Sequence, residues 1–356
     1  MENSKYEHYL RYVPGVRFWV VAMGVIVTFA ALKAASHIVN IVLIAAFLTA
    51  VSMAPLNWLK KKGMNKALAN VTVILIVVVL IGIIGLVIGA SVNGFAVKMP
   101  VYEEKFIELW DSTVNTLYEK GLLDNTISVR EGMKSGNILM IAAAPVASGF
   151  GIVISSSFVI FIFFVFMITE SDMFMRKMHY ISRGSSKDVD MIIHQLRNYF
   201  GIKTFTSLGT GLAIGLMLFI LGVDFPVLWG FLAFILNYIP SIGSFIAAIP
   251  AVLIAFIMQG PFIGILTMSG YLIINTIIGN VVEPQLMGKN LGLSPFVVFF
   301  SMIFFGYILG PVGMLIATPL TIIFKITFDS REVTRNLGIM LGDGRELRSG
   351  RKRKEL

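Results

Sequence analysis

The sequence contains no cysteine, which excludes disulfides, thiolate metal sites and cysteine nucleophiles. Charge is scarce too: Asp, Glu, Lys and Arg make up 14% of the 356 residues, where a soluble domain carries nearer a quarter. Four histidines occur (His8, His37, His179 and His194), all at or beyond the edges of hydrophobic runs. No H-E-x-x-H pair is present, nor a G-x-x-x-x-G-K-[ST] loop, so zincin chemistry and ATP as a fuel acting through this chain are both excluded. A serine protease working inside a membrane would need Ser and His paired at depth, and no such pair is visible. The chain reads as a non-enzyme with no catalytic residues, no cofactor and no metal site.

Apolar residues are plentiful: 56% of the chain is hydrophobic and mean hydropathy is +0.84. Eight hydrophobic runs stand out: Val16–Ala35, Ile38–Leu56, Ala67–Val97, Ile138–Thr169, Thr204–Gly222, Pro226–Met258, Phe262–Val282 and Pro295–Thr327. A helix needs about 20 apolar residues to cross roughly 30 Å of hydrocarbon, so the fold class is an all-α polytopic membrane protein. The first run is too long for a cleavable signal, and Lys33 stands where small neutral residues would be needed. Residues 1–356 form a single transmembrane domain. The net charge of +9 belongs to the membrane and not to nucleic acid, because it collects in short loops. Lys60, Lys61, Lys62 and Lys66 follow the second run. Arg176, Lys177, Arg183, Lys187 and Arg197 follow the fourth, and a basic tail occupies 329–356. The positive-inside rule places all three, with the N-terminus, in the cytoplasm.

Two polar stretches interrupt the runs. In 98–135, Tyr102, Phe106, Leu109, Trp110 and Leu117 recur at helical spacing, predicting an external amphipathic helix. In 170–202, Val189, Ile192, Ile193, Leu196 and Tyr199 do the same behind Ser185 and Ser186, predicting a cytoplasmic one. An interfacial helix lying against lipid or its own bundle outweighs a partner-docking site for both.

The C-terminal half writes nearly the same phrase twice. FPVLWGFLAFILNYIPSIGSFIAAIPAVLIAF runs from Phe225 to Phe256, and SPFVVFFSMIFFGYILGPVGMLIATPLTIIFK from Ser294 to Lys325. Each is apolar to a Tyr-Ile pair, breaks at a Pro/Gly cluster and continues apolar through a second Pro. The expected helix breaks are Pro240, Pro250, Pro311 and Pro319, with Pro284 ending the seventh hydrophobic helix. Each segment is long for one span and short for two. A kinked helix or a hairpin of two half-helices would serve, giving six full spans plus two hairpins, or eight spans. Hairpins are favoured, because Pro and Gly at mid-run free backbone groups that must avoid lipid. Entering from opposite faces, with tips near Ser241–Gly243 and Gly310–Gly313 meeting midway, they would resemble the inverted repeats of secondary transporters.

Glu283 is the leading candidate residue, since acidic groups near membrane segments usually face a cavity or ion path. At α-helical spacing it shares a face with Thr276 and Asn280. The alternative is an interfacial carboxylate pairing with Lys289 or Arg197; Asp224, Glu170 and Asp172 at span ends are weaker candidates. Asn237, Ser241, Gly243, Gly310, Gly313 and Thr318 bracket the breaks and are expected at a substrate site, because half-helix N-termini suit anionic or hydroxyl-rich ligands. Asn237 could instead cap carbonyls freed by the break. The pairs Gly85/Gly89 and Gly211/Gly215 permit close helix packing, but in a chain with 33 glycines they carry little weight. Transport is the reading, driven by a gradient or passive.

LNYIPSIGSFIAAIP (Leu236–Pro250), GNVVEPQLMGKNLGLSPFVVF (Gly279–Phe299) and GPVGMLIATPLTIIFKI (Gly310–Ile326) resemble the signature blocks of the autoinducer-2 exporter (AI-2E) family. The likeness is dense over residues 195–328 and follows only the pattern of spans before that. The matched positions are Asn237, Pro240, Gly243, Asn280, Glu283, Pro284, Gly288, Pro311, Gly313 and Pro319. The resemblance implies export of autoinducer-2, a small polyhydroxylated signal, from the bacterial inner membrane by a homo-oligomer, a pentamer. Other members of the family resemble sodium(lithium)/proton antiporters, with a proton or sodium ion as coupling partner and Glu283 as the titrating carboxylate. A membrane scaffold is the alternative of another class, although a scaffold has no need of two polar-bracketed breaks.

Overall fold

The computed structural model describes residues 14–121, 138–181, 186–240, 242–287 and 292–344, with side chains from residues 18, 156 and 187 onward in the helices that open at 14, 138 and 186. The polar stretch 122–135, Ser241, Gly288, Lys289 and the tail beyond residue 344 lie outside the described residues. The described chain is helical: α1 Pro14–Ala34, α2 Ser36–Lys61, α3 Lys66–Glu119, α4 Ile138–Ile181, α5 Ser186–Ile220, α6 Pro226–Leu236, α7 Gly243–Gln259, α8 Pro261–Asn275, a π-helical turn Thr276–Val282, α9 Glu283–Met287, α10 Pro295–Asp329 and α11 Arg335–Leu341. Among the described residues six helical stretches are long and apolar enough to cross a membrane, although one of them, α10, folds back on itself.

Local chemistry sets the boundaries. Asn65 caps α3, its Oδ1 accepting from the Leu68 amide at 2.8 Å. Pro226, Pro261 and Pro295 open α6, α8 and α10, where a missing N–H costs nothing. Gly260 (φ 88) supplies the left-handed turn between α7 and α8.

Two charged clusters mark opposite ends of the bundle. Asp172 of α4 accepts ion pairs from Lys60 and Lys66 at 3.2 and 2.9 Å, so the α2–α3 loop and the polar end of α4 share one end. At the other end Asp224 binds Lys98 at 2.9 Å and the Tyr102 hydroxyl at 2.8 Å. About 48 Å of helix separates Lys66 from Lys98.

The amphipathic stretches are not separate helices. Residues 98–119 continue α3, whose 54 residues reach about 81 Å, well past the ~30 Å hydrocarbon slab. The stripe from Val189 to Tyr199 is the first half of α5. Pro100 at the first junction and Gly201 at the second do not stop the helix, which runs through both; in a membrane bundle neighbouring groups can take over the carbonyl that a proline frees.

Both broken segments are hairpins. The first descends from Asp224 through α6, reverses between Leu236 and Gly243 and returns through α7 to Gln259, whose amide donates to the Gly222 carbonyl beside the same cluster. The second runs from Pro295, reverses at Gly310 and comes back toward Asp329. Gly310 has φ 67 and ψ −150, a conformation essentially reserved for glycine. Across the reversal, Phe305 and Phe324 stack at 6.4 Å, which a straight helix would hold far apart. Gly243 and Gly313 make the reversals tight: a Cβ on either would run into a carbonyl, that of Leu236 or of Phe305.

The hairpins enter from opposite ends but do not meet tip to tip. Ile239 of the first turn packs with Met302, Phe305, Met314 and Ala317 on the limbs of the second hairpin. The second turn instead reaches α1 and α2: Asn40 Nδ2 donates to the Leu309 carbonyl at 3.0 Å, and Phe29 packs among Ile308, Leu309 and Ile316. Half-helices of about 22 Å are long enough to pass each other, and apolar flanks bury more surface than two polar turns touching would.

Several expected breaks need correction. Pro250 and Pro319 lie inside continuous helices, because neighbouring groups in a membrane bundle can take over the freed carbonyl. Pro284 does not end its helix either; the chain passes through a π turn and continues to Met287. Pro284 has no N–H for the carbonyl four residues back and its ring would strike it. The wider i→i+5 register moves that carbonyl aside.

Candidate functional site

The site is built on α5. Tyr199, Lys203, Thr206 and Thr210 recur every three or four residues, so they line one face, and Ser207 lies beside them. All five are at most 4% exposed. A lysine so deeply buried requires a counter-charge, and Glu283 supplies it. Lys203 Nζ donates to both carboxylate oxygens at 2.7 and 2.8 Å, with the two side chains 5% and 16% exposed. Thr206 Oγ1 lies 3.4 Å from Glu283 Oε2 and 3.2 Å from the Lys203 carbonyl.

The turn of the first hairpin docks on the same face. Asn237 Nδ2 donates to Ser207 Oγ at 3.0 Å, and the Tyr238 hydroxyl to Thr204 Oγ1 at 2.8 Å. Phe47 of α2 closes the back, edge-on to Phe200 and Tyr238 at 5.7 and 5.0 Å. From Phe47, α2 runs about 20 Å before it reaches Lys60. The pair therefore sits well inside the bundle, between the two charged ends.

A cavity of ≈ 260 Å³ opens beside the pair. Tyr199, Lys203 and Glu283 form its polar wall with Thr318 of the second hairpin, and Pro240 of the first turn faces them. Met287, Leu293, Pro295, Val298 and Phe299 complete an apolar wall. Drug-sized ligands occupy pockets of about 300–1,000 Å³, so this space suits a small molecule. The hydroxyls of Tyr199 and Thr318 are buried beside each other in the cavity wall, each within reach of the other, and neither bonds any further group in the protein. Buried hydroxyls are normally satisfied, and these two have only each other.

Of the residues expected at a site, Glu283, Pro240 and Thr318 come together here, with Asn237 behind the turn. Asn237 bonds Ser207 and not the freed carbonyls. Glu283 pairs with Lys203, not with Arg197. Gly243 shapes the first turn without lining the cavity. Gly310, Pro311 and Gly313 form the second turn, next to α1 and α2 and away from Glu283. Asn280 and Thr276 are exposed, because the π turn changes the phase that α-helical spacing would have kept. Asp224 and Asp172 are held in the end clusters.

Lys203, Tyr199, Thr206 and Ser207 were not among the candidates. Their signal was present in the three- and four-residue recurrence of polar groups leading into an apolar run. It was obscured because that run begins at Thr204, which makes Lys203 look like the edge of a span. One glycine pair also proves structural. Gly211 and Gly215 cross Gly230 of α6 so closely that a Cβ on Gly211 would come 2.7 Å from the Gly230 carbonyl, whereas Gly85 and Gly89 touch nothing.

Comparison with known proteins supplies the frame for this site. A family model described as AI-2E family transporter matches residues 20–332. A Haemophilus influenzae protein, described as a candidate transport protein, is 33% identical over 331 residues, covering 90% of this chain and 94% of its own. The Escherichia coli protein YhhT, similarly described, is 29% identical over 93% and 95% of the two chains. The Escherichia coli AI-2 transport protein TqsA is 29% identical over 92% and 96%.

Proposed function

We propose, from the premise that this chain belongs to the AI-2E family of membrane transporters, that the cavity beside Lys203 and Glu283 binds the solute it carries. The reading is carried by one observation: a buried ion pair and two buried hydroxyls, contributed by α5, α9 and the second hairpin, share one small cavity with the turn of the first. A carboxylate accepts and an ammonium donates, so the polar wall fits a compact solute rich in hydroxyl groups. The apolar wall holds the carbon skeleton. Autoinducer-2, named in the description of the relative TqsA, has this character, and its gradient-driven or facilitated export is the function proposed. Alternating access follows from the two opposed hairpins, either of which can open one end of the cavity. The scaffold alternative leaves the buried charges without a purpose.

The Lys203–Glu283 pair also favours a second reading. An incoming cation could displace the internal ammonium from Glu283, as sodium(lithium)/proton antiport requires. By the positive-inside rule the end carrying Lys60 and Lys66 faces the cytoplasm of a bacterial inner membrane. The homo-oligomer implied by the family resemblance, a pentamer, belongs to the same proposal.

Proteoliposomes containing autoinducer-2, or sodium with a pH-sensitive dye, distinguish these readings. Glu283→Gln is expected to reduce autoinducer-2 flux to background. Loss of sodium-dependent proton flux with autoinducer-2 flux intact would favour antiport. Full activity on both would remove the site assignment. A cysteine placed at Lys62 should react with impermeant reagent only from inside cells, and one at Lys105 only from outside; the reverse pattern would invert the topology.

A further inference from the structure

Among the described residues six more buried polar atoms without a partner stand apart from the cavity, and three of them share one helix. On α8, Thr267 Oγ1, Tyr271 OH and Asn275 Oδ1 have no partner in the protein. Thr267 and Tyr271 are 0% and 1% exposed. Spaced four residues apart, the three form one stripe along a single helix face. Threonines elsewhere in these helices, such as Thr49, Thr210 and Thr321, donate to the carbonyl four residues back; Thr267 does not. Unsatisfied polar groups are avoided in the interior of a membrane protein, and three in register on one helix are not scattered defects.

The stripe begins where the polar track of α5 stops. The two helices run antiparallel in contact, Gly209 facing Ile278 and Gly270 facing Met217. On α5 the polar residues Lys203, Thr206, Ser207 and Thr210 lie toward Glu283. Beyond them Ile214 and Leu218 are apolar and fully buried. From that level on, the polar groups are carried by α8. About 24 Å of helix separates Glu283 from Thr267, and about 9 Å more reaches Pro261 at the far end of the bundle. Tyr271 packs in the same cluster as Ala247, Ala251 and Ala255 of α7, whose small side chains leave little to displace. Gly260, at φ 88, joins α7 to α8.

We propose that the stripe Asn275–Tyr271–Thr267 is the outer leg of the solute path, closed against α7 in this conformation and opened to water when α7 and α8 part about Gly260. The proposal rests on reading the Lys203–Glu283 cavity as the solute site. The stripe offers hydroxyl and amide groups and no formal charge, which suits an uncharged polar solute leaving the charged cavity for the outside.

The absence of native cysteine makes the test direct. Thr267→Cys, Tyr271→Cys, Thr318→Cys in the cavity wall and Leu272→Cys on the exposed face of α8 are made singly in the full chain in membrane vesicles. A small charged methanethiosulfonate is then applied to one side at a time. Positions 267 and 271 are expected to react from the outside and 272 from neither side. Tyr271→Phe should slow autoinducer-2 transport several-fold with KM unchanged and with no loss of thermal stability, since it removes only an unpaired hydroxyl. Unreactive 267 and 271 beside a Thr318→Cys that reacts from inside would overturn the outer leg and leave the cavity standing. So would wild-type transport by Tyr271→Phe. If Thr318→Cys is also unreactive and Glu283→Gln transports normally, the cavity assignment falls with it.

Discussion

Lys203 and Glu283, 80 positions apart, meet with the ammonium 2.7 and 2.8 Å from the two carboxylate oxygens. Both are shielded from solvent by α5, the first turn and the second hairpin. Such pairs rarely stabilise a fold relative to apolar residues of similar size, but breaking one half leaves an uncompensated charge.

Lys203→Met should therefore destabilise the protein by about 3–5 kcal/mol, seen as a lowered melting temperature in detergent. Adding Glu283→Leu should restore most of the loss, while transport stays at background in both variants. A double variant no more stable than Lys203→Met would mean that the cost does not come from the stranded carboxylate.

Gly243→Ala and Gly313→Ala should each reduce the yield of folded protein sharply. In both hairpins the new methyl meets a backbone carbonyl, which cannot step aside. Gly310→Ala fails for another reason. Its Cβ would touch nothing within 4 Å, but its backbone conformation costs an L-residue about 1–3 kcal/mol. Size-exclusion profiles and melting curves of the three variants, beside Gly85→Ala as an unobstructed control, check the order.

The Asp172 carboxyl is held below its usual range, first by the hydrogen bond from Lys66, then by that from Lys60 and the attraction of both ammonium groups, while partial burial opposes the shift. A depressed folded-state value means the contribution is complete above the ordinary carboxylate value near 3.9. It is lost as pH falls through the lower folded value. Melting temperature followed from pH 6 down to 3 should fall more steeply for the wild type than for Asp172→Asn. The difference should be modest, since Asp172 is 41% exposed. Identical slopes would show that the ion pairs contribute nothing.

The helical spans and both hairpins were legible because apolar length and mid-run Pro/Gly clusters act locally. Their insertion from opposite ends was legible as well, since it follows from counting crossings. Where the turns come to rest was not, because that depends on which surfaces bury more area. Leu309 meeting Asn40 is a contact between positions 269 apart. At the site, Glu283 announced itself as an acidic group at a membrane edge. Lys203 was hidden by the same logic, since a basic residue at the start of an apolar run looks like an anchor in the headgroups. Asn280 was misjudged because an α-helical period was applied where Pro284 forces a π turn.

The side-by-side passage of the two hairpins has a mechanical consequence. Each turn spends its directional bonds elsewhere: Asn237 on Ser207, Tyr238 on Thr204 and the Leu309 carbonyl on Asn40. Where the hairpins touch, Ile239 lies among Met302, Phe305, Met314 and Ala317. Apolar contact has no preferred direction, and methionine adapts readily to a shifted neighbour. The surface between the hairpins therefore resembles a bearing: among the described residues no directional side-chain bond fixes one hairpin along the other. What holds their position is the set of bonds at the two turns, which act as detents.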